Sequence, residues 1–447
     1  MNEIIMKRLL ALFFLLCSLP VWAQPEFELN YINDYKKTFT TQPIFYPTPK
    51  GDSLEIFVPF RFSLNFLTFE KFAVEGKLFA VSLVDLVLRD STGVIRKSIN
   101  RLDTFFFPES QRDSINVRSF VSFFKFRLPI QNYNIEISLF DKGKIKVKTL
   151  QNVIKISNWG NLIVCAPIFC SSSDQNEYIL SLQSNNLDFR KKNKKIIIPI
   201  FSKTHFAKLV CEIKSVNDKT YNIQWNKPVK FDVMPQMIST QPFSFKLVQE
   251  NIKIYFEQRT YAAGEPYLSF LIIDFPEKYS FLQSYDLNLS APDYLKDSLT
   301  FRFGISWENI PISLRNIRYA VDLFYYIITD EEYKGILDKR KEEIWTAFFD
   351  LWRKFDPDTS TMFNEAMDEF YRRADYCYFN FQTVYERDGA RSDRGKIFIL
   401  YGKPSVVNRD MDKDGVITEV WFYYRLKKKF IFVTKDKKFQ LVDIVNL

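Results

Sequence analysis

Asp388-Gly-Ala-Arg-Ser-Asp-Arg-Gly-Lys-Ile-Phe-Ile-Leu-Tyr-Gly-Lys-Pro404 is the stretch on which the C-terminal fold turns. Gly389 and Gly395 bracket a run of small and charged residues. A short apolar segment, Lys396 to Tyr401, follows and closes on Gly402-Lys403-Pro404. Local chemistry reads this as a polar glycine loop feeding a strand over Lys396 to Tyr401, with a turn behind it. Asp393 and Arg394 fall between the glycines, and Arg372, Arg373 and Asp375 lie on a helix expected just upstream. With Ser392, these six are the candidate binding residues. A buried Asp–Arg network clamping the loop to the helix accounts for them as well as an active site does.

Upstream of this stretch the hydrophobic period is helical. Leu314, Ile317, Val321, Phe324 and Ile328 recur three or four apart, which puts them on one face of a helix beginning at Ser313. Thr329-Asp-Glu-Glu332 reads as a capping box that starts a second helix. A third helix is expected over Lys341 to Phe355, with Ile344, Phe348, Leu351 and Phe355 inward and Pro357 ending it. A fourth starts near Thr361 and carries Phe363, Met367, Phe370, Ala374 and Cys377. Downstream, Glu419 to Tyr424, Phe430 to Thr434 and Phe439 to Ile444 read as strands. Residues 309–447 are thus an α+β domain, a helical segment packed on a small antiparallel sheet.

Before residue 309 the texture is short strands separated by turns. Ser53 to Phe60 and Asn134 to Leu139 alternate, and Asp90-Ser-Thr-Gly93 and Asp141-Lys-Gly-Lys144 supply the turn chemistry. Lys195 to Phe201, Ala207 to Ile213, Phe243 to Val248, Ile252 to Phe256 and Tyr267 to Ile273 continue the pattern beyond Asn158-Trp-Gly160. The expected architecture is therefore multidomain and mainly β: two tandem antiparallel β-sandwich domains, 24–155 and 156–308, before the α+β domain.

The first residues address the chain to the cell envelope. Lys7 and Arg8 precede the apolar run Leu9 to Leu19, and Val21 and Ala23 occupy small-residue positions, so a signal peptide over 1–23 is expected. No later apolar stretch is long enough to span a bilayer. The mature chain is expected in the periplasm, at the outer membrane or outside the cell. The formal net charge is +9. From Ser313 onward 24 Lys+Arg stand against 23 Asp+Glu, so the basic surplus belongs to the β-rich part. Its densest run, Arg190-Lys-Lys-Asn-Lys-Lys195, has no interleaved aromatic and reads as a solvated hairpin tip, and nucleic acid is excluded as a partner.

Cys165, Cys170, Cys211 and Cys377 form no C-x-x-C pair. A disulfide from Cys165 or Cys170 to Cys211 and buried free thiols both fit. The single histidine, His205, sits in no catalytic motif and reads as a turn or strand-edge residue, which removes nucleophilic triads and histidine metal sites. Asp410-Met-Asp-Lys-Asp-Gly415 spaces Asp410, Asp412 and Asp414 as the first half of a calcium loop does. Position twelve, however, is Trp421 instead of a bidentate Glu. The alternative is an acidic hairpin tip between Val406 and Val420, with Gly415 at positive φ. No other cofactor is expected.

The C-terminal blocks resemble the GWxTD-domain family, exported proteins found mainly in Bacteroidota and related bacteria. The resemblance rests on Tyr326-Ile-Ile-Thr-Asp-Glu-Glu-Tyr333, Phe349 to Pro357, Asn364 with Glu369 to Tyr376, Ser392 to Pro404, Glu419 to Tyr424 and Phe430 to Val433. Where the family has Gly-Trp-x-Thr-Asp, this chain has Gly389-Ala390-Arg391-Ser392-Asp393. Ser392 keeps a hydroxyl able to cap the turn, whereas Ala390 deletes a large aromatic whose space Tyr385 or Phe381 would have to fill. The resemblance brings no established reaction with it. The expected role is a non-catalytic binding or assembly module with an envelope protein partner. The second reading is a carboxylate-dependent hydrolase of envelope glycans or peptides using Asp393 and a helix carboxylate. An enzyme would expose Asp393 in a concavity beside a second carboxylate, and an assembly module would bury it against arginine.

Overall fold

The computed structural model describes residues 38–72, 76–115, 118–159, 162–174, 177–202, 209–217, 225, 227–239, 243–256, 267–291, 297–383 and 385–447. The N-terminal segment and His205 lie outside these residues. The chain divides into two compact units, Ile32–Glu308 and Asn309–Thr359 with Phe363–Leu447.

The first unit is built from antiparallel sheets. Ser53–Ser63 pairs with Phe39–Thr41 and Ile44–Pro47 on one side and with Ser119–Pro129 on the other. Its inward side chains share a core with a five-stranded sheet centred on Lys77–Arg89, which carries Ile95–Pro108 on one edge and Tyr133–Asp141 on the other. Period-two patterning explains the pairing: Leu78, Ala80, Val84, Leu86 and Leu88 are all buried on one face. A nine-stranded sheet around Lys194–Ser202 and a five-stranded sheet around Ser284–Ser290 follow. All their pairings are antiparallel except Asn186–Asp188 against Leu299–Ser306. Half-buried Phe245 stacks on Phe57, centroids 3.6 Å apart, against a core cluster that runs from Phe39 to Ile272.

In this unit the basic run is only partly solvated. Lys194 is buried and pairs with Glu277 at 2.9 Å, its pKa pulled down first by burial. Cys165, Cys170 and Cys211 are buried free thiols, which removes the expected alternative of a disulfide among them, and burial raises all three pKa values.

The second unit places five helices before a four-stranded antiparallel meander: α1 Ile317–Phe324, α2 Asp330–Leu337, α3 Ile344–Trp352, α4 Glu365–Asn380 and α5 Asp393–Tyr401. The caps are those the side chains can make. Asn316 and Asn364 accept from Tyr319 N and Met367 N, and Thr329 with Glu332 completes the capping box of α2. Asn364 also donates to Trp352 O at 2.8 Å, tying α4 to the end of α3. Phe324 stacks on Trp352 at 4.2 Å, and the Tyr371 hydroxyl donates to Ala320 O at 2.7 Å. The face of α3 is turned from that expected: Phe348, Phe349 and Trp352 are buried, while Ile344, Leu351 and Phe355 are only half-buried. Strands Val406–Met411, Ile417–Tyr423, Lys428–Lys435 and Lys438–Asn446 form the meander in chain order. Its inner face, Trp421, Tyr423, Phe430 and Phe432, is buried, with Tyr401 of α5 at 5.3 Å from Phe430.

Lys396 to Tyr401 is not a strand but the body of α5. The reason is burial on all sides: Ile397, Phe398, Ile399 and Leu400 are consecutive and all buried, so the run has no amphipathic period to read. The decisive signals are terminal. Ser392 accepts from Gly395 N at 3.0 Å as N-cap, Asp393 opens the first turn, and Gly402 ends the helix at φ 75°.

Candidate functional site

The glycines at the motif turn are needed for close approach, not for positive φ. A Cβ on Gly389 would stand 2.1 Å from Cys377 O of α4, and one on Gly395 would stand 2.0 Å from Gly389 O. The turn Gly389–Arg391 is therefore wedged between α4 and α5, with backbone against backbone on both sides. Ser392 is buried and locks it further, its hydroxyl donating to Gly389 O at 2.7 Å while accepting from Gly395 N. A hydroxyl at this position does both jobs whether it is Ser or Thr.

Ala390 is fully buried. Its N–H donates to Asp388 Oδ1 at 3.0 Å, and its carbonyl accepts from the Tyr326 hydroxyl at 3.1 Å. Tyr385, expected to replace the missing aromatic, is instead exposed and accepts from Lys437 Nζ. Phe381 turns to Phe398 and Trp421, at 5.4 and 5.5 Å. The group that abuts the turn beside Ala390 is thus Tyr326 of the segment following α1, a residue sequence reasoning did not single out. Tyr319 joins it, donating to Asp388 Oδ1 at 2.9 Å. Burial, then the Asp388 charge, raises the pKa of both phenols. Arg391 closes the cluster, pairing with Asp388 at 3.2 Å and Asp322 at 2.9 Å and lying over the Tyr319 ring.

The six expected binding residues do not form one network. Asp393 and Arg394 are neighbours on a helix and point apart. Asp393 is exposed, and its Oδ2 accepts from Leu441 N at 2.8 Å, fastening α5 to the last strand. Arg394 is buried. Its partner is Glu419 on the meander, with Nη1 3.4 Å from Oε2, and the guanidinium lies 3.8 Å from the Phe439 ring centroid. Glu419 in turn accepts from Trp421 Nε1 at 2.5 Å. The expected Asp–Arg clamp is therefore an Arg–Glu clamp between helix and sheet. The reason is helical geometry, which turns successive residues about 100° apart. Burial lowers the Arg394 pKa, and Glu419 opposes the shift.

The α4 residues are separate again. Arg372 pairs with Asp368 at 2.8 Å and Arg373 with Glu369 at 2.7 Å, both i,i+4 on one helix. Asp375 is buried and accepts from Ile312 N at 2.6 Å and Ser313 N at 2.8 Å, capping the turn before α1. Its pKa is raised by burial against the pull of those bonds. Asp410, Asp412 and Asp414 lie at the tip of the first hairpin of the meander. Asp412 Oδ1 accepts from Asp414 N and Val416 N, and Gly415 has φ 78°. Asp412 and Gly415 thus build the turn of this hairpin tip, and among the described residues no group of three or more His, Cys, Asp or Glu is gathered as metal ligands would be. Nor, among those residues, is any helix long and apolar enough to cross a membrane.

No curated protein matches the chain in sequence. Among solved structures, it aligns with a purple acid phosphatase, PPD1, from yellow lupin (Lupinus luteus) at 9% identity and TM-score 0.16. That alignment covers 73% of this chain and 56% of the phosphatase, so the chain spans little more than half of it. A structure named pT26-6p aligns at 7% identity and TM-score 0.12, covering 86% of this chain and 88% of that one. Scores this low carry no argument about fold or activity. The family comparison is of another kind: the matched region, residues 300–443, takes in all five helices, the Gly389–Gly395 wedge and most of the meander, and by it this chain carries a GWxTD domain.

Proposed function

We propose that the chain is an exported cell-envelope protein acting as a non-catalytic binding or assembly module, with a protein partner engaged by its C-terminal unit. The observation that supports this reading is how the motif spends its polar groups. Ser392 is consumed by the cap, Asp388 by Ala390 N and Tyr319, Arg394 by Glu419, and Asp375 by two backbone N–H groups. A reacting carboxylate needs a free oxygen beside a second acid or base. Asp393, the exposed acid of the motif, holds the last strand through Oδ2, which accepts from Leu441 N, a fastening role for that side chain. What the motif offers outward is three exposed side chains, Arg391 of the turn and Asp393 and Lys396 of the first turn of α5.

The exposure of Asp393 is the one feature that a carboxylate-dependent hydrolase of envelope glycans or peptides would share, and it keeps that as the second reading. Crosslinking and affinity capture from the native envelope, wild type against Asp393→Asn, test the two together. The module reading expects a changed partner set. An unchanged set, together with turnover of an envelope polymer that the variant loses, overturns it in favour of the hydrolase.

A further inference from the structure

Ile95–Pro108 is a long edge strand. Among the described residues it pairs with Lys77–Arg89 and with no other strand. Such an edge offers N–H and C=O groups to a further strand, and native sheets usually blunt it with proline, lysine or a bulge. Here Pro108 stands at one end, and the register shift of the ladder lies at the other, between Leu88 and Arg89. The stretch between is regular.

The ladder fixes which groups face out. Glu109 N donates to Gly76 O at 2.7 Å, continuing the register that sets Pro108 opposite Lys77. Bonding direction alternates along an antiparallel strand, so Ile99, Arg101, Asp103, Phe105 and Phe107 bond toward Lys77–Arg89. Ser98, Asn100, Leu102, Thr104 and Phe106 therefore turn their N–H and C=O groups to the open edge.

The side chains along that edge are self-complementary. Arg101 donates to Asp103 through Nε at 2.8 Å and Nη2 at 3.0 Å, and Leu102 between them is 64% exposed. Consider a second copy of the strand, antiparallel about a two-fold axis at Leu102. Arg101 then faces the partner's Asp103, Ile99 faces the partner's Phe105, and Asn100 faces the partner's Thr104. Residues that bond outward meet residues that bond outward, and every side chain keeps its face of the sheet. The charged pairs fall at non-hydrogen-bonded positions, where facing side chains come closest. The Asp103 carboxylate has lone pairs beyond the two that its own Arg101 uses. Moving the axis by one residue sets Arg101 against the partner's Arg101, or Asp103 against the partner's Asp103. Charge thus selects the register.

We propose that Ile95–Pro108 pairs edge to edge with the same strand of a second copy, joining two five-stranded sheets into one across a two-fold axis at Leu102. The pairing belongs to the β-rich unit alone and does not rest on the reading of the C-terminal unit.

Sedimentation equilibrium of the purified full chain, up to about 100 μM, tests it, because an interface one strand wide is expected to hold in the micromolar range. The wild type is expected to dimerise. Arg101→Asp and Asp103→Arg each set like charges across the axis, and each alone should weaken the dimer at least about tenfold. Mixed in equal amounts, the two variants bring opposite charges together and should recover it. Thr104→Pro removes an outward N–H, leaves the bonds to Lys77–Arg89 in place and should weaken the dimer likewise. Association through the apolar N-terminal run is common to all these chains, so the difference between them is the readout. Should one kind of variant fail to fold by circular dichroism, the other decides. A monomeric wild type, variants that dimerise as the wild type does, or a mixture no tighter than its components overturns the proposal. Failure here leaves the partner-capture experiment on Asp393 untouched.

Discussion

Replacing Glu419 with Gln removes one negative charge from beneath α5 and little else. Glutamine keeps the volume and the acceptor for Trp421 Nε1, now at 2.5 Å from Oε1. What it leaves behind is Arg394, a group that stays charged, is 8% exposed, and has a buried Nε with no hydrogen-bond partner among the described residues. Breaking one side of a buried pair costs about 3–5 kcal/mol, because the remaining charge is uncompensated. Two features place this site at the low end. The Nη1–Oε2 contact is 3.4 Å, and the guanidinium keeps its place 3.8 Å from the Phe439 centroid, a contact worth roughly 1–2 kcal/mol that the substitution does not touch. The expected loss is therefore about 3 kcal/mol, or roughly 150-fold in the opening equilibrium at 1.36 kcal/mol per decade.

A chain with two compact units need not unfold in one step, so hydrogen exchange by mass spectrometry is the appropriate assay. Peptides covering α5 and strands Ile417–Tyr423 and Lys428–Lys435 should lose about two decades of protection, while peptides of the β-rich unit stay unchanged. Adding Arg394→Met to Glu419→Gln removes the stranded charge and should return most of that protection, so the double-mutant cycle reports strong coupling. A Glu419→Gln variant within about 1 kcal/mol of wild type would refute the clamp, as would a double variant no better than the single.

Gly395→Ala should cost about 3 kcal/mol or more by forcing α5 off the Gly389 carbonyl. Gly335→Ala in α2, whose Cβ would meet nothing within 4 Å, should gain about 1 kcal/mol, and thermal melts of the pair separate steric wedge from helix propensity. Ser392→Ala removes an N-cap and the bond to Gly389 O together, for an expected loss of about 1–2 kcal/mol by urea titration. Asp356 is 7% exposed, and burial raises its pKa to about 6, with Oδ2 lacking a hydrogen-bond partner among the described residues. Between its ordinary value near 4 and about 6 the folded state binds the extra proton, so stability falls as pH rises through that window. Asp356→Asn should therefore stabilise the chain at pH 7.5 by up to about 3 kcal/mol and by almost nothing at pH 4; an equal effect at both pH values would show that charge is not the cause.

Much of the C-terminal unit was legible because its signals are local. Thr329 and Glu332 cap α2 as their spacing requires, the Phe324 and Met367 stripes find the core, and Asp412 with Gly415 builds the hairpin tip. The helix over Lys396 to Tyr401 reads locally as a strand. A four-residue apolar run buried on every side carries no period, and its cap, Ser392, is also a common loop residue. The site is hidden from local reading for a related reason. Ser392, Asp393 and Arg394 are adjacent in sequence, yet once they begin a helix each faces a different element: the turn, the last strand and Glu419 on the meander.

What depends on near neighbours is readable along the chain: a β-rich part followed by helices and a small sheet, the caps, the turns and the GWxTD domain matched over residues 300–443. Three features depend on the folded chain: which charges are buried together, why Gly389 and Gly395 admit no side chain, and that Tyr326 stands at the turn beside Ala390. The physical reason is distance along the chain. Arg394 and Glu419 are 25 residues apart, and Tyr326 and Ala390 are 64 apart. Such contacts form because folding removes backbone and apolar surface from water, and no short-range pattern encodes which polar group will be waiting on the other side.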